Sequence, residues 1–217
     1  MIVLPKDHAE WLKERKFGIG ASDSAAIMGV SKWKNNLQLW EEKTGQREPE
    51  DISWKPHVQY GHDAEPHIRA LFALDHPELE ITYDSPYKII RSDVHPFMFC
   101  TPDGEITEKL TGRNGGLEIK TTKIENPRQW SEWDGQIPDT YYCQVCHQML
   151  STGWEFVWLV VQIKWITKEG ELRKMIKEYC IEREEVAEDL EYIEAETIEF
   201  WESIENKKQP ALKLPEI

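Results

Sequence analysis

The sequence predicts an α/β fold in which a central mixed β-sheet is flanked by helices, and three observations carry that expectation. Helical and strand periodicities alternate along the chain instead of segregating into blocks. Trp154 to Ile166 is the longest continuous apolar run, the pattern of a central strand. Between that run and an earlier strand, Leu117 to Thr121, lies a helical segment over Tyr141 to Leu150, which reads as a crossover.

Residues 8–17 read as a short amphipathic helix ending at Gly18-Ile19-Gly20. Ser22 is placed to cap a helix through Ala25, Ala26, Ile27 and Met28 that Gly29 stops. Asn36 is placed to cap Leu37 to Lys43, with Gly45 closing that helix. Residues 46–58, rich in proline and charge, read as a loop. Gly61 to Leu74 has a helical period through Ile68, Leu71 and Phe72. Strands follow at about 87–92 and 97–106, and a loop over Leu110 to Gly116 returns into the Leu117 to Thr121 strand. Residues 123–138 form a connection containing proline and tryptophan. After Trp154 to Ile166, the turn Lys168-Glu169-Gly170 leads into a strand near 172–182, and an acidic helix over 184–206 ends the fold. There are no repeats or low-complexity tracts.

A chain of 217 residues is one domain of ordinary size. Its 40% hydrophobic residues and ten tryptophans supply a substantial core and exclude a disordered chain. No apolar run approaches a membrane span, and the first residues lack the basic flank and apolar stretch of a signal peptide, so a cytoplasmic protein is expected.

The net charge of −14 is unevenly placed. Residues 182–205 hold eleven Asp/Glu against one Arg, a balance of −10, whereas residues 1–47 hold eight Lys/Arg against six Asp/Glu, a balance of +2. Contact with a polyanion is therefore not excluded, provided it avoids the C-terminal segment. Four cysteines in a cytoplasmic chain read as reduced thiols. Cys143-x-x-Cys146 raises the alternative of an iron–sulfur cluster, but the pair falls within a helical pattern and Cys100 and Cys180 on strands, which favours buried structural thiols.

Pro102-Asp103, with Glu118 fifteen residues on and Lys120 beside it, has the P-D…E-x-K layout of a metal-dependent nuclease core. Two carboxylates hold a divalent cation, and a lysine positions or deprotonates an attacking water. The pattern alone is weak, since Glu14-x-Lys16, Glu41-x-Lys43 and Glu205-x-Lys207 match it too. Those three read as helical, where residues two apart diverge. In Gly116 to Thr121 the alternation of Leu117 and Ile119 with Glu118 and Lys120 puts both functional groups on one face of a strand. The competing interpretation is an exposed Glu/Lys pair on a hairpin. The Ile119 carbonyl is a candidate further ligand, and such oxygen donors suit Mg²⁺ or Mn²⁺.

Glu65, near the start of a helix, is a candidate third carboxylate or only a dipole partner. On the helix at 141–150, Tyr142, Val145 and Met149 form an apolar stripe beside a polar face of Tyr141, Gln144 and Gln148. Gln144 there is either a holder of a metal-bound water or phosphate oxygen, or an exposed polar residue. Arg15 and Ser22 bracket the Gly18/Gly20 turn, and arginine with a hydroxyl at a helix start forms an anion site. In isolation Ser22 is only a cap.

Together these pieces resemble the YqaJ/lambda-exonuclease family of phage recombination nucleases, within the restriction-endonuclease-like PD-(D/E)xK superfamily. The matching stretches are Trp11 to Ser22, Tyr60 to Pro66, Thr101 to Gly104, Gly116 to Lys120 and Tyr141 to Met149, in the family's order. The resemblance implies a restriction-endonuclease-like core and an Mg²⁺-dependent 5′-to-3′ exonuclease, with Mn²⁺ as a substitute ion. Such an enzyme digests one strand of linear duplex DNA and leaves 3′ overhangs for single-strand annealing. On matching positions, Asp103 and Glu118 would hold metal, Lys120 would activate water, and Glu65 and Gln144 would support catalysis. Arg15 and Ser22 would bind the 5′-phosphate, and Asp93 would stand where a second metal-site carboxylate occurs. The chain departs from the family at Cys146-His147-Gln148, where a second glutamine is often found, and in a longer Asp103-to-Glu118 loop.

The resemblance also implies a homotrimeric ring, a single-strand annealing protein as partner, and the bacterial or phage-infected host cytoplasm as location. The whole chain, 1–217, is then a single nuclease domain. It has a helical DNA-end-binding part at about 1–58, a catalytic core at about 59–182 and an acidic helix at about 183–206. Two alternatives stay open: an endonuclease of restriction or repair, and a non-enzymatic DNA-binding or assembly protein.

Overall fold

The computed structural model describes residues 1–214, and its elements divide between two sheets with helices on their faces. The larger sheet has the order β3-β6-β7-β8-β9, formed by Leu79–Thr82, Gly104–Glu108, Asn114–Ile124, Phe156–Ile166 and Leu172–Glu182. All its neighbours are antiparallel except β7 and β8, which run parallel from Gly115↔Phe156 to Ile124↔Trp165. A parallel pair needs a crossover. Here it passes through α5 (Pro127–Ser131) and α6 (Asp139–Thr152). The mixed sheet and its crossover helix match the sequence expectation.

The smaller sheet, β1-β4-β5-β2, joins Ile2–Val3, Ile89–Arg91, Met98–Cys100 and Ile19–Gly20. It corrects two expectations. The first 58 residues are not purely helical, because β1 and β2 pair into this sheet. The single strand expected at 97–106 is two strands in different sheets, β5 and β6, parted at Thr101-Pro102-Asp103. Proline has no N–H to give a ladder, which favours a break there.

Helix α1 is His8–Arg15, capped by Asp7, whose side chain accepts from Glu10 N at 2.9 Å. Ala21–Asp23 form a 3-10 turn leading into α2 (Ser24–Ile27), so Ser22 lies inside the turn and is not a cap. In α3 (Asn36–Lys43) the cap is Asn35, whose side chain takes the Gln38 N–H at 2.9 Å. Asn36 is buried and instead donates to the Ala211 carbonyl at 2.7 Å. Helix α4 is longer than expected, Pro56–Asp75, starting on a proline that needs no N–H partner in the first turn. It buries Ala64, Ile68 and Phe72 at successive i+4 spacing, while Leu71 is exposed.

The large sheet is covered on both faces. Leu117, Ile119 and Val160 meet Ala64, Ile68 and Phe72 of α4. On the opposite face Val157, Leu159, Val161 and Ile163 meet Val145 and Met149 of α6 and Leu190 and Ile193 of α7 (Ala187–Glu205). The acidic helix thus buries an apolar stripe and exposes most of its carboxylates. Among the described residues, no helix is long and apolar enough to cross a membrane.

Candidate active site

Strand β7 carries the centre of the site because alternation gives it two different buried faces. Leu117 and Ile119 enter the core beneath α4, while Glu118 and Lys120 share the face toward α6. Glu118 is almost fully enclosed, its side chain 3% exposed, and its carboxylate is saturated with donors. Its Oε1 accepts from Lys120 Nζ and, at 2.5 Å, from Gln144 Nε2, while Oε2 accepts from Gln148 Nε2. One helical turn separates the two glutamines, so α6 presents both amides to one carboxylate.

Asp103 stands one residue before β6, where β7 runs on without that partner. Its N–H donates to the Leu117 carbonyl at 3.1 Å, and its Oδ2 accepts from the Ile119 N–H at 2.7 Å. The side chain therefore continues the ladder that β6 would otherwise make. The N–H and C=O of one strand residue face the same neighbour, so the Ile119 carbonyl also faces the Asp103 side. Helix α4 brings Glu65 to the cluster through Arg69, which pairs with Glu65 and donates from Nε to the Asp103 carbonyl at 2.6 Å. The Arg69 guanidinium lies over the Tyr83 ring, 3.6 Å from its centroid.

The electrostatics follow from three carboxylates enclosed together. Burial, and then the charges of Glu118 and Glu65, push the Asp103 carboxyl well above the usual range. Burial also raises Glu65, against the opposing pull of Arg69. Burial alone would lower the Lys120 ammonium, but Glu118 and Asp103 outweigh it and hold the group above its ordinary value.

This is a donor set that fits a divalent cation. It is all oxygen and carries surplus negative charge. Beside it sits a buried polar atom, Gln148 Oε1, without a partner among the described residues. No three His, Cys, Asp or Glu side chains among those residues are arranged to hold a metal by themselves. Two carboxylates and a carbonyl is instead the sparse protein contribution with which Mg²⁺ is commonly held, water and substrate supplying the rest. The cysteines fit worse: burial pushes the thiols of Cys143 and Cys146 up to about 12, away from the thiolate form that ligation requires. Cys100 is buried too, but Cys180 is exposed on β9, against the expectation that all four are enclosed.

A second polar cluster adjoins the first. Arg15 Nη2 donates to Ser22 Oγ at 3.0 Å, and its guanidinium lies 4.6 Å from the Trp11 ring centroid and 5.4 Å from that of Phe99. Asp23 pairs with Lys43 at 2.9 Å and accepts from Gly20 N at 3.1 Å. Burial raises the Asp23 carboxyl, but Lys43 and Arg15 prevail and hold it at about 2. Trp11 Nε1 donates to Thr101 Oγ1 at 3.2 Å, tying this cluster to the loop that ends in Asp103.

The structure thus gathers Glu65, Asp103, Glu118, Ile119, Lys120 and Gln144, with Arg15 and Ser22 beside each other nearby. Asp93 is not brought in. It lies on the exposed loop after β4, bound to the Met1 amino group at 2.8 Å. Two residues passed over as site members join the cluster, Gln148 and Arg69, and the signal for both was helical spacing, four residues after Gln144 and after Glu65. Gln148 supplies a second glutamine amide to Glu118.

Comparison with known proteins gives concordant results. The family model described as "YqaJ-like viral recombinase domain" matches residues 10–155. "Uncharacterized protein YqaJ" of Bacillus subtilis (strain 168) is 31% identical over 213 residues, which cover 94% of this chain and 58% of that protein. The chain therefore spans a little over half the length of that relative. Among solved structures, the alkaline exonuclease LHK-Exo from Laribacter hongkongensis superposes with a TM-score of 0.63 at 22% identity, covering 92% of this chain and 94% of its own. LHK-Exo in complex with dAMP gives a TM-score of 0.60 at 22% identity, over 92% and 96% of the two chains. The fold is shared with these exonucleases.

Proposed function

This chain belongs to the YqaJ-like viral recombinase domain family, and we propose that it is a metal-dependent deoxyribonuclease that degrades one strand of linear duplex DNA from its 5′ end. One observation carries this reading: Asp103 and Glu118 converge at the point where β7 outruns β6, with Lys120 and two glutamine amides fixed on Glu118.

Asp103, Glu118 and the Ile119 carbonyl would hold Mg²⁺ or Mn²⁺. A bound divalent ion supplies Lewis acidity toward a phosphoryl oxygen and lowers the pKa of a water. Lys120 spends one of its three ammonium donors on Glu118, and the others orient a water or a phosphate oxygen. Gln144 and Gln148 hold the Glu118 carboxylate in one orientation, and Arg69 ties Glu65 to the Asp103 backbone. Arg15 and Ser22 receive the 5′-phosphate: the guanidinium is fixed by stacking on Trp11 and Phe99, leaving its edge for an anion. A 3′ single-stranded product, a ring-shaped trimer, a single-strand annealing partner and a cytoplasmic setting extend the same proposal and rest on the family resemblance.

The test is incubation with Mg²⁺ and either linear or covalently closed duplex. Loss of the linear substrate alone, stopped by a chelator, is the expected result. Cutting of the closed circle would make the protein an endonuclease, and hydrolysis of neither would leave a binding protein.

A further inference from the structure

A row of three lysines crosses the large sheet outside the cluster just described. Lys123 of β7 is directly opposite Lys164 of β8, and Lys164 is directly opposite Lys174 of β9. Residues in register share a face, and this is the α4 face, as Ile119↔Val160 shows. Like charges directly opposite one another destabilise a sheet. The chain carries fourteen surplus negative charges with which to neutralise them. Yet among the described residues only Lys123 has a carboxylate partner, the exposed Glu125 at 2.9 Å, a surface pair of small worth.

The row is also held in place. Tyr60, in the second turn of α4, lies against it: Lys164 Nζ is 3.2 Å from the ring centroid and Lys174 Nζ 5.6 Å. Lys174 Nζ is 3.4 Å from the Tyr60 hydroxyl, which itself donates to Gln162 Oε1 at 2.5 Å. One ammonium thus lies against the Tyr60 ring and the other at its hydroxyl, so Tyr60 orients both lysines. Partial burial and the neighbouring Lys174 lower the Lys164 ammonium, although Tyr60 acts to raise it, as expected for a cation short of anions.

The spacing of the row points to the ligand. Lys123 is three residues beyond Lys120 on the same strand, about 10 Å at the usual rise, and the odd spacing turns it to the opposite face of the sheet from Glu118 and Lys120. The row spans two interstrand spacings, again about 10 Å. Successive phosphates of one DNA strand advance about 3.4 Å along the helix axis. From this geometry we propose that Lys123, Lys164 and Lys174, with Tyr60 bracing the last two, form a backbone-phosphate site for DNA on the α4 face of the sheet, the row matching about three successive phosphates of one strand. The site rests on the reading that DNA is the substrate. It keeps the enzyme on its substrate between cuts and gives an acidic protein a local place to meet a polyanion.

The experiment is equilibrium binding of end-labelled linear duplex, and separately of one of its single strands, by fluorescence anisotropy in EDTA at several salt concentrations. Wild type is compared with Lys164→Gln/Lys174→Gln and with the exposed control Lys208→Gln. The double variant should bind about tenfold more weakly near 0.1 M salt. Its slope of log affinity against log salt should be shallower by up to about 1.8 for duplex, 0.9 for each lost phosphate contact. The control should match wild type. Loss in the duplex arm assigns the row to the duplex, and loss confined to the single-strand arm assigns it to the separated strand. The Tm of the double variant at low salt should equal or exceed that of wild type, because repulsion is removed. Binding within twofold of wild type in both arms would overturn the site, as would a fallen Tm with an unchanged salt slope, which would make the lysines structural. A wild type that binds neither DNA would overturn the nuclease reading and this site with it.

Discussion

Acidification should strip stability from this protein through one residue, His147. The imidazole is fully buried on α6, flanked by the two glutamines that hold Glu118. Its Nε2 lies 3.2 Å from the Ile19 carbonyl of β2, which accepts its proton, and its Nδ1 has no partner among the described residues. Burial lowers the His147 pKa from 6.5 to about 4. The folded value lies below the unfolded one, so the unfolded chain binds more protons between pH 6.5 and 4. The His147 contribution is therefore complete above pH 6.5 and is lost as pH falls through 4. A fall from 6.5 to about 4 corresponds to about 3 kcal/mol, a large fraction of the usual margin. In His147→Gln the amide nitrogen sits at about the reach of Nε2 and cannot ionise. Urea unfolding followed by tryptophan fluorescence at pH 7 and pH 4 should show the variant losing about 3 kcal/mol less than wild type across that interval. The difference removes Asp103 and other groups that titrate in both proteins. Parallel losses in the two proteins would refute the assignment. Because His147 ties α6 to the strand entering the Ser22 turn, 5′-phosphate preference should fade over the same pH range.

Four further outcomes are expected. Lys120→Ala should lose turnover in Mg²⁺ while retaining DNA affinity, because orienting a water matters in the transition state; near-normal turnover would remove Lys120 from the chemistry. Asp103→Ala or Glu118→Ala should abolish hydrolysis, and a chelator should silence the wild type reversibly; activity in excess EDTA would sink the two-carboxylate account. Arg15→Ala should slow degradation of 5′-phosphorylated ends about ten- to a hundredfold, the worth of one charge-assisted bond of roughly 1.5–3 kcal/mol, and spare 5′-hydroxyl ends; equal slowing of both would make Arg15 a general contact. Gly116→Ala should destabilise the fold by about 1–3 kcal/mol in urea unfolding, because a Cβ there would lie 2.2 Å from the Trp154 ring; unchanged stability would show that the ring moves freely.

The sequence by itself determined the parts of this protein that rest on short-range periodicity. Alternation over Gly116 to Thr121 was enough to place Glu118 and Lys120 on one face of β7, because side-chain direction in a strand depends only on parity. The long apolar run of β8 and the crossover helix α6 were legible for the same reason, and Gln148 and Arg69 could have been read from i+4 spacing. Tertiary structure decided the rest. Residues 97–106 look continuous along the chain, and only pairing with distant partners divides them, β5 beside Ile19–Gly20 and β6 beside Asn114–Leu117. That division is what leaves Asp103 at a strand start facing the Ile119 N–H. Asp93 is ten residues from Asp103, yet it is turned to Met1 on the other sheet, since proximity in sequence says nothing across a change of sheet. The contact of Trp11 with Thr101 and the pairing of Lys123 with Lys164 join residues 90 and 41 positions apart. No local pattern encodes such neighbours, because which strands pair is set by the burial of whole faces against α4 and α6.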